Sequence, residues 1–139
     1  MLINSRFKMI VCDMAGTIIK ENNIVYKTLY EVIKSFNNSL LQEDINKFKG
    51  FTKLEVIDHF VKKQGLPIRE SRLLIKQSNN KFNSLLKEKY SLDKNVKLIH
   101  PHLPNLLNTL RDNDKKIVLN TGYNKEIQNI LIDKFSLNK

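Results

Sequence analysis

The sequence predicts an α/β fold in which an incomplete parallel sheet is interrupted by a helical insert. Two short apolar runs, one before Asp13 and one over residues 117–120, each end abruptly in a turn of small or polar residues. A helical pattern precedes the second run. Between the two lie four stretches of helical spacing with no strand pattern among them.

The first run, Phe7, Met9, Ile10, Val11 and Cys12, reads as a short buried strand that stops at Asp13 and the turn Ala15, Gly16, Thr17. Residues 24–36 place Val25, Leu29, Val32, Ile33 and Phe36 at helical spacing, and a short polar helix follows over residues 42–47. Gly50 breaks that pattern. Thr52 is then a helix N-cap with Glu55 as its capping-box partner, and Leu54, Ile57, Phe60 and Val61 line one face until Gly65 and Pro67. Residues 69–90 carry another long helical stripe of Leu73, Leu74, Ser78, Phe82, Leu85 and Leu86. The chain returns over residues 96–104, punctuated by Pro101 and Pro104, into a helix striped by Leu103, Leu106, Leu107 and Leu110. A strand over residues 117–120, a polar turn and a final helix repeat the opening theme. The expected division is a core of residues 1–19 and 96–139 around a helical cap of residues 20–95.

Bulk properties narrow the function classes. With 139 residues there is room for one ordinary domain or two small lobes, and 41% hydrophobic with 27% charged residues is a globular composition. No run approaches the roughly 18 apolar residues of a membrane helix. The N-terminal apolar patch lacks a small-residue cleavage site, so a cytoplasmic location is expected. The single cysteine, Cys12, excludes an internal disulfide framework and, within a strand, reads as core packing. A net charge of +10 suits polyanions, but the lysines are scattered and no basic stretch carries interleaved aromatics. Neither a nucleic acid nor a membrane is expected as partner; a preference for anionic substrates is.

Asp13 is the residue that asks for chemistry. A carboxylate at a strand's end, followed by main-chain N–H groups of a small-residue turn, can attack an electrophile while those donors hold its anionic oxygens. Phosphorus is the natural target, with an aspartyl phosphate as the product of attack. A dianionic electrophile calls for a cation, and Mg²⁺ with oxygen ligands is the usual one. Thr121, with the Gly122 amide behind it, is placed to donate to the same phosphoryl group. His100 and His102 lack a third ligand for zinc, His59 lies by an apolar helical face, and Tyr26 and Tyr30 fit a packing stripe.

Asp13, Met14, Ala15, Gly16 and Thr17 resemble the first motif of the haloacid dehalogenase superfamily, usually DxDGT. Leu119, Asn120, Thr121 and Gly122 resemble its second motif, and the insert is similar to its helical cap in size and position. Ala15 stands where that pattern has a second aspartate. The phosphonatase-like hydrolases, with DxAGT and a second motif of the Thr121, Gly122, Tyr123 type, are the subgroup this sequence resembles more closely.

The resemblance implies Asp13 as nucleophile, Thr121 as phosphate ligand, phosphate contacts from Met14, Ala15, Gly16, Thr17 and Gly122, and Mg²⁺ at Asp13 and Ala15. It also implies a small phosphorylated or phosphonylated metabolite as substrate. Lys53, in the cap loop Gly50, Phe51, Thr52, Lys53, falls where a cap lysine either contacts substrate or condenses with a substrate aldehyde; the loop departs from the subgroup at Lys49 and Val56. The superfamily's third and fourth motifs find no match in the chain. The sequence therefore leads one to expect a truncated hydrolase, completed by a homo-oligomer or a second chain, or else a non-catalytic remnant that keeps the phosphate loop.

Overall fold

Residues 6–138 are described by the computed structural model. In chain order the elements are β1 (Met9–Asp13), β2 (Ile19–Lys20), α1 (Ile24–Lys34), α2 (Gln42–Asn46), α3 (Lys53–Lys62), α4 (Ile68–Leu92), β3 (Lys97–Leu98), α5 (Leu103–Asp112), β4 (Lys116–Asn120) and α6 (Lys125–Lys134). The chain forms two units: one runs to Asn22 and resumes at Tyr90, and the other is Asn23–Lys89.

In the first unit β1 and β4 pair in parallel, from Met9 beside Lys116 to Asp13 beside Asn120. Both strands thus end level, which fixes where their following loops begin. The α/β class expected from the sequence is the class found. A second ribbon was not foreseen: β2 and β3 pair antiparallel, Ile19 with Leu98, and the Ile99 N–H extends the pairing to the Ile18 carbonyl at 2.9 Å. Strands of two residues are too short to show an alternation in sequence.

The first strand is not the buried strand its apolar run suggested. Met9 and Val11 are 52% and 55% exposed, as is Val118 of β4 at 41%, while Ile10, Cys12, Ile117 and Leu119 on the other face are half-buried. Parallel sheets bury both faces only when both are covered. Here α5 packs against β4, and the core of this unit gathers instead around Met14, Ile18, Ile19, Val96, Leu107, Leu110, Ile127 and Leu131.

In the second unit α1 packs against α2 and α3, burying Val25, Leu29, Val32 and Ile33. The helix ends at Lys34, so Phe36 lies beyond it; the Lys34 ammonium donates to the Asn38 and Leu40 carbonyls at 2.6 and 2.9 Å. The capping box that opens α3 forms as expected, with the Glu55 N–H donating to Thr52 Oγ1 at 3.3 Å and the Thr52 N–H to Glu55 Oε2 at 2.9 Å. Leu54 is a correction. It is 50% exposed, and Val56 joins Ile57, Phe60 and Val61 inside. At 100° per residue Leu54 sits roughly 90° from the centre of that buried arc. Leu73 and Leu106 are likewise exposed although the spacing placed them inside.

His59 packs as a structural residue, its ring 4.8 Å from that of Phe48 and 5.2 Å from that of Phe60. The His102 N–H donates to His100 Nδ1 at 3.2 Å. Among the described residues no helix is long and apolar enough to cross a membrane.

Candidate active site at the ends of β1 and β4

The turn after β1 is closed by its own main chain. The Met14 carbonyl accepts the N–H groups of Thr17, Ile18 and Ile19 at 3.3, 3.1 and 2.9 Å, and the Gly16 N–H donates to the Ile19 carbonyl at 2.8 Å. Gly16 has φ of +77°, a conformation that strains any residue carrying a Cβ. The Met14 side chain is fully buried and pins the turn to the core.

This geometry narrows the expected phosphate cradle. The Gly16 and Thr17 amides are engaged inside the turn, and Met14 has only its main chain to offer a ligand. What the turn does present is Asp13. Its side chain is exposed, and the Thr17 hydroxyl donates to its Oδ2 at 2.8 Å. One carboxylate oxygen is held by that hydroxyl.

On the neighbouring strand, register places Asn120 beside Asp13, so Thr121 follows at the same end of the sheet. Thr121 Oγ1 accepts the Tyr123 N–H at 3.2 Å. With one lone pair committed, the hydroxyl proton is directed elsewhere, as a phosphate ligand requires. Gly122 is exposed. Asn124 caps α6 by accepting the Ile127 N–H at 3.0 Å, and the start of a helix favours an anion nearby.

Asp13, Ala15, Gly16, Thr17, Thr121 and Gly122 therefore belong to one unit and one end of one sheet. Lys53 belongs to the other unit, as the first residue of α3. Its ammonium donates to the Tyr26 hydroxyl at 3.2 Å and the Phe51 carbonyl at 3.1 Å, and lies 4.4 Å from the centre of the Tyr26 ring. A lysine at a helix N-terminus opposes the helix dipole, and these contacts offset that cost. Two of its three protons are taken, leaving one for a ligand.

Asp13 and Ala15 supply hard oxygen donors of the kind magnesium takes. Among the described residues no group of three or more His, Cys, Asp or Glu side chains could hold a metal ion. The donor set fits a magnesium ion that keeps most of its water or arrives with a phosphate.

One cluster beside this site escaped the sequence reading. Tyr90 is fully buried and its hydroxyl donates to Glu21 Oε2 in a short hydrogen bond; it also bonds the Tyr123 hydroxyl. Burial, together with the charge of Glu21, pushes both phenols above their ordinary pKa, and Asp13 adds to the effect on Tyr123. Glu21 and Tyr90 lie 69 positions apart, so no spacing could announce the pair.

The haloacid dehalogenase-like hydrolase family matches this chain over residues 10–139. No curated protein matches it. Among solved structures, a HAD hydrolase of family IA, variant 3, from Entamoeba histolytica superposes with a TM-score of 0.68 at 20% identity, over 95% of this chain and 56% of its own. A candidate phosphatase from Clostridium difficile superposes with a TM-score of 0.63 at 16% identity, over 96% of this chain and 58% of its own. At such identities the likeness establishes the fold, and this chain spans little more than half the length of either structure.

Proposed function

The chain belongs to the haloacid dehalogenase-like hydrolase family, and from that premise we propose that it is a phosphonatase-like hydrolase of a small phosphorylated or phosphonylated metabolite. One observation carries the reading: an exposed Asp13 with Oδ2 held by Thr17, at the strand end where register also delivers Thr121. Oδ1 is then the attacking oxygen. The Oδ1–P bond forms as the bond from phosphorus to the leaving group breaks, and the leaving group takes the electron pair and then a proton. Water attacks the aspartyl phosphate at phosphorus, releasing phosphate and restoring the carboxylate.

The Thr121 hydroxyl and Gly122 amide hold phosphoryl oxygens through the transfer. Bound at the Asp13 carboxylate and the Ala15 carbonyl, magnesium would neutralise charge on the phosphoryl group. Ala15 removes a side-chain acid from beside the nucleophile, which suits a leaving group that stabilises its own electron pair.

The test is thermal unfolding of the full chain titrated with beryllium fluoride and Mg²⁺. A saturable rise in midpoint, lost in Asp13→Ala, is expected; no rise in the native chain overturns the reading. A second reading, a non-catalytic remnant or phosphate-binding fragment without turnover, keeps the same loop of Asp13 to Thr17. It differs in one outcome: binding of beryllium fluoride with no magnesium-dependent phosphate release.

A further inference from the structure

Glu21, Tyr90 and Tyr123 all lie in the first unit, and the mechanism above makes no use of them. Their protons can be counted. An ionised Glu21 can only accept, so Tyr90 gives it the one phenolic proton it has, and the Tyr90 oxygen is left to accept from Tyr123. The Tyr123 hydroxyl also reaches Glu21 Oε2, but at 3.5 Å this is the longer and weaker contact. The result is a directional chain, Tyr123 to Tyr90 to Glu21.

Each member is fixed by something else. Glu21 follows directly on β2, which pairs with β3. Tyr90 is fully buried, and its carbonyl accepts the Lys134 ammonium from the end of α6 at 2.8 Å. Tyr123 packs its ring edge-to-face on Tyr90 with centroids 5.3 Å apart, and its carbonyl accepts from the Gln128 side-chain amide at 2.9 Å. The Tyr123 N–H makes the bond that orients the Thr121 hydroxyl. The β4–α6 loop is thus tied at its main chain to Thr121 and at its side chain to two distant segments.

We propose that Tyr123 is a positioning residue, and that the Tyr123–Tyr90–Glu21 chain holds the β4–α6 loop so that Thr121 and Gly122 keep one orientation toward a bound phosphoryl group. The inference rests on the reading of Thr121 and Gly122 as phosphate donors. A half-buried carboxylate hydrogen-bonded to phenols adds little net stability. What such a network supplies is a single geometry.

The test uses the full chain, Tyr123→Phe, Glu21→Gln and the double variant. Orthophosphate affinity in the presence of Mg²⁺ is read by calorimetry, and hydrogen exchange of the amide at position 123 by NMR, since its protection reports the bond to Thr121. Tyr123→Phe is expected to weaken phosphate about fivefold and to speed that exchange. Glu21→Gln acts in the same direction, and the double variant is no weaker than the worse single one, because all three break one network. Unchanged affinity and exchange in both single variants overturn the proposal, as does additive loss. Should the native chain bind no phosphate, the functional reading fails by itself. Exchange then decides: faster at position 123 in Tyr123→Phe supports the network, and unchanged exchange overturns it.

Discussion

After β1, the Met14 carbonyl gathers three amides and Gly16 returns one to Ile19, so the turn is complete within itself. After β4, Thr121, Gly122 and Tyr123 share one local bond, and their other anchors come from Gln128 on α6, Tyr90 at the end of α4 and Glu21 beyond β2. Both loops serve the same end of the same sheet. The first is specified by residues in sequence with it, and the second also by Tyr90 and Glu21, which only folding brings near. A loop of the first kind can be read from a motif; a loop of the second kind shows its residues but not what holds them.

That contrast can be broken at several points. The largest effect is expected at Asp13, where both loops converge. Asp13→Asn keeps the shape of the side chain and removes the proposed nucleophile, so any phosphate release should fall by at least about 10³-fold, read by steady-state turnover. Thr121→Val should weaken orthophosphate binding about tenfold in calorimetry, the scale of one hydrogen bond to a charged group. Because the loop is held from outside, its unfolding midpoint should hardly move.

Gly16→Ala separates the loops in the opposite sense. No atom lies within 4 Å of where its Cβ would go, so the cost is conformational alone. At φ of +77° it should destabilise the chain by about 1–2 kcal/mol, measured by urea unfolding.

The smallest effect sharpens the comparison in the other unit. The capping box of α3 is another device closed within a few residues, and the Thr52 hydroxyl and N–H, in that order, hold Glu55 below the usual carboxylate range. A folded-state pKa below the unfolded one gives stability that is complete above the ordinary glutamate pKa and is lost as pH falls through the depressed value. Urea midpoints should therefore fall slightly in acid. Glu55→Gln should remove that part of the pH dependence, and an unaltered acid slope would show that the box contributes nothing.

The sequence yielded most where the governing interactions are short-ranged. Helix α3 began where Thr52 and Glu55 announced it, and the strand ends at Asp13 and Asn120 were visible from the apolar runs that precede them. Errors came at the edges of amphipathic arcs, where Leu54, Leu73 and Leu106 satisfy the spacing yet remain exposed. Spacing assigns a face but not how far a neighbour extends over it. The pairing of β2 with β3 was hidden for a different reason, since two residues carry no period.

At the candidate site the division is the same. The sequence by itself determined that a carboxylate stands at a strand's end before a glycine turn, that Thr121 and Gly122 end the second strand, and that helices separate them, because each follows from contacts a few residues apart. Only the tertiary structure decided that Asp13 and Asn120 lie level in register, that Thr17 holds one oxygen of Asp13, and that the loop of Thr121 is tied through Tyr123 to Tyr90 and Glu21. Register and buried hydrogen bonds join residues that are remote along the chain, and their geometry exists only once the intervening elements have packed.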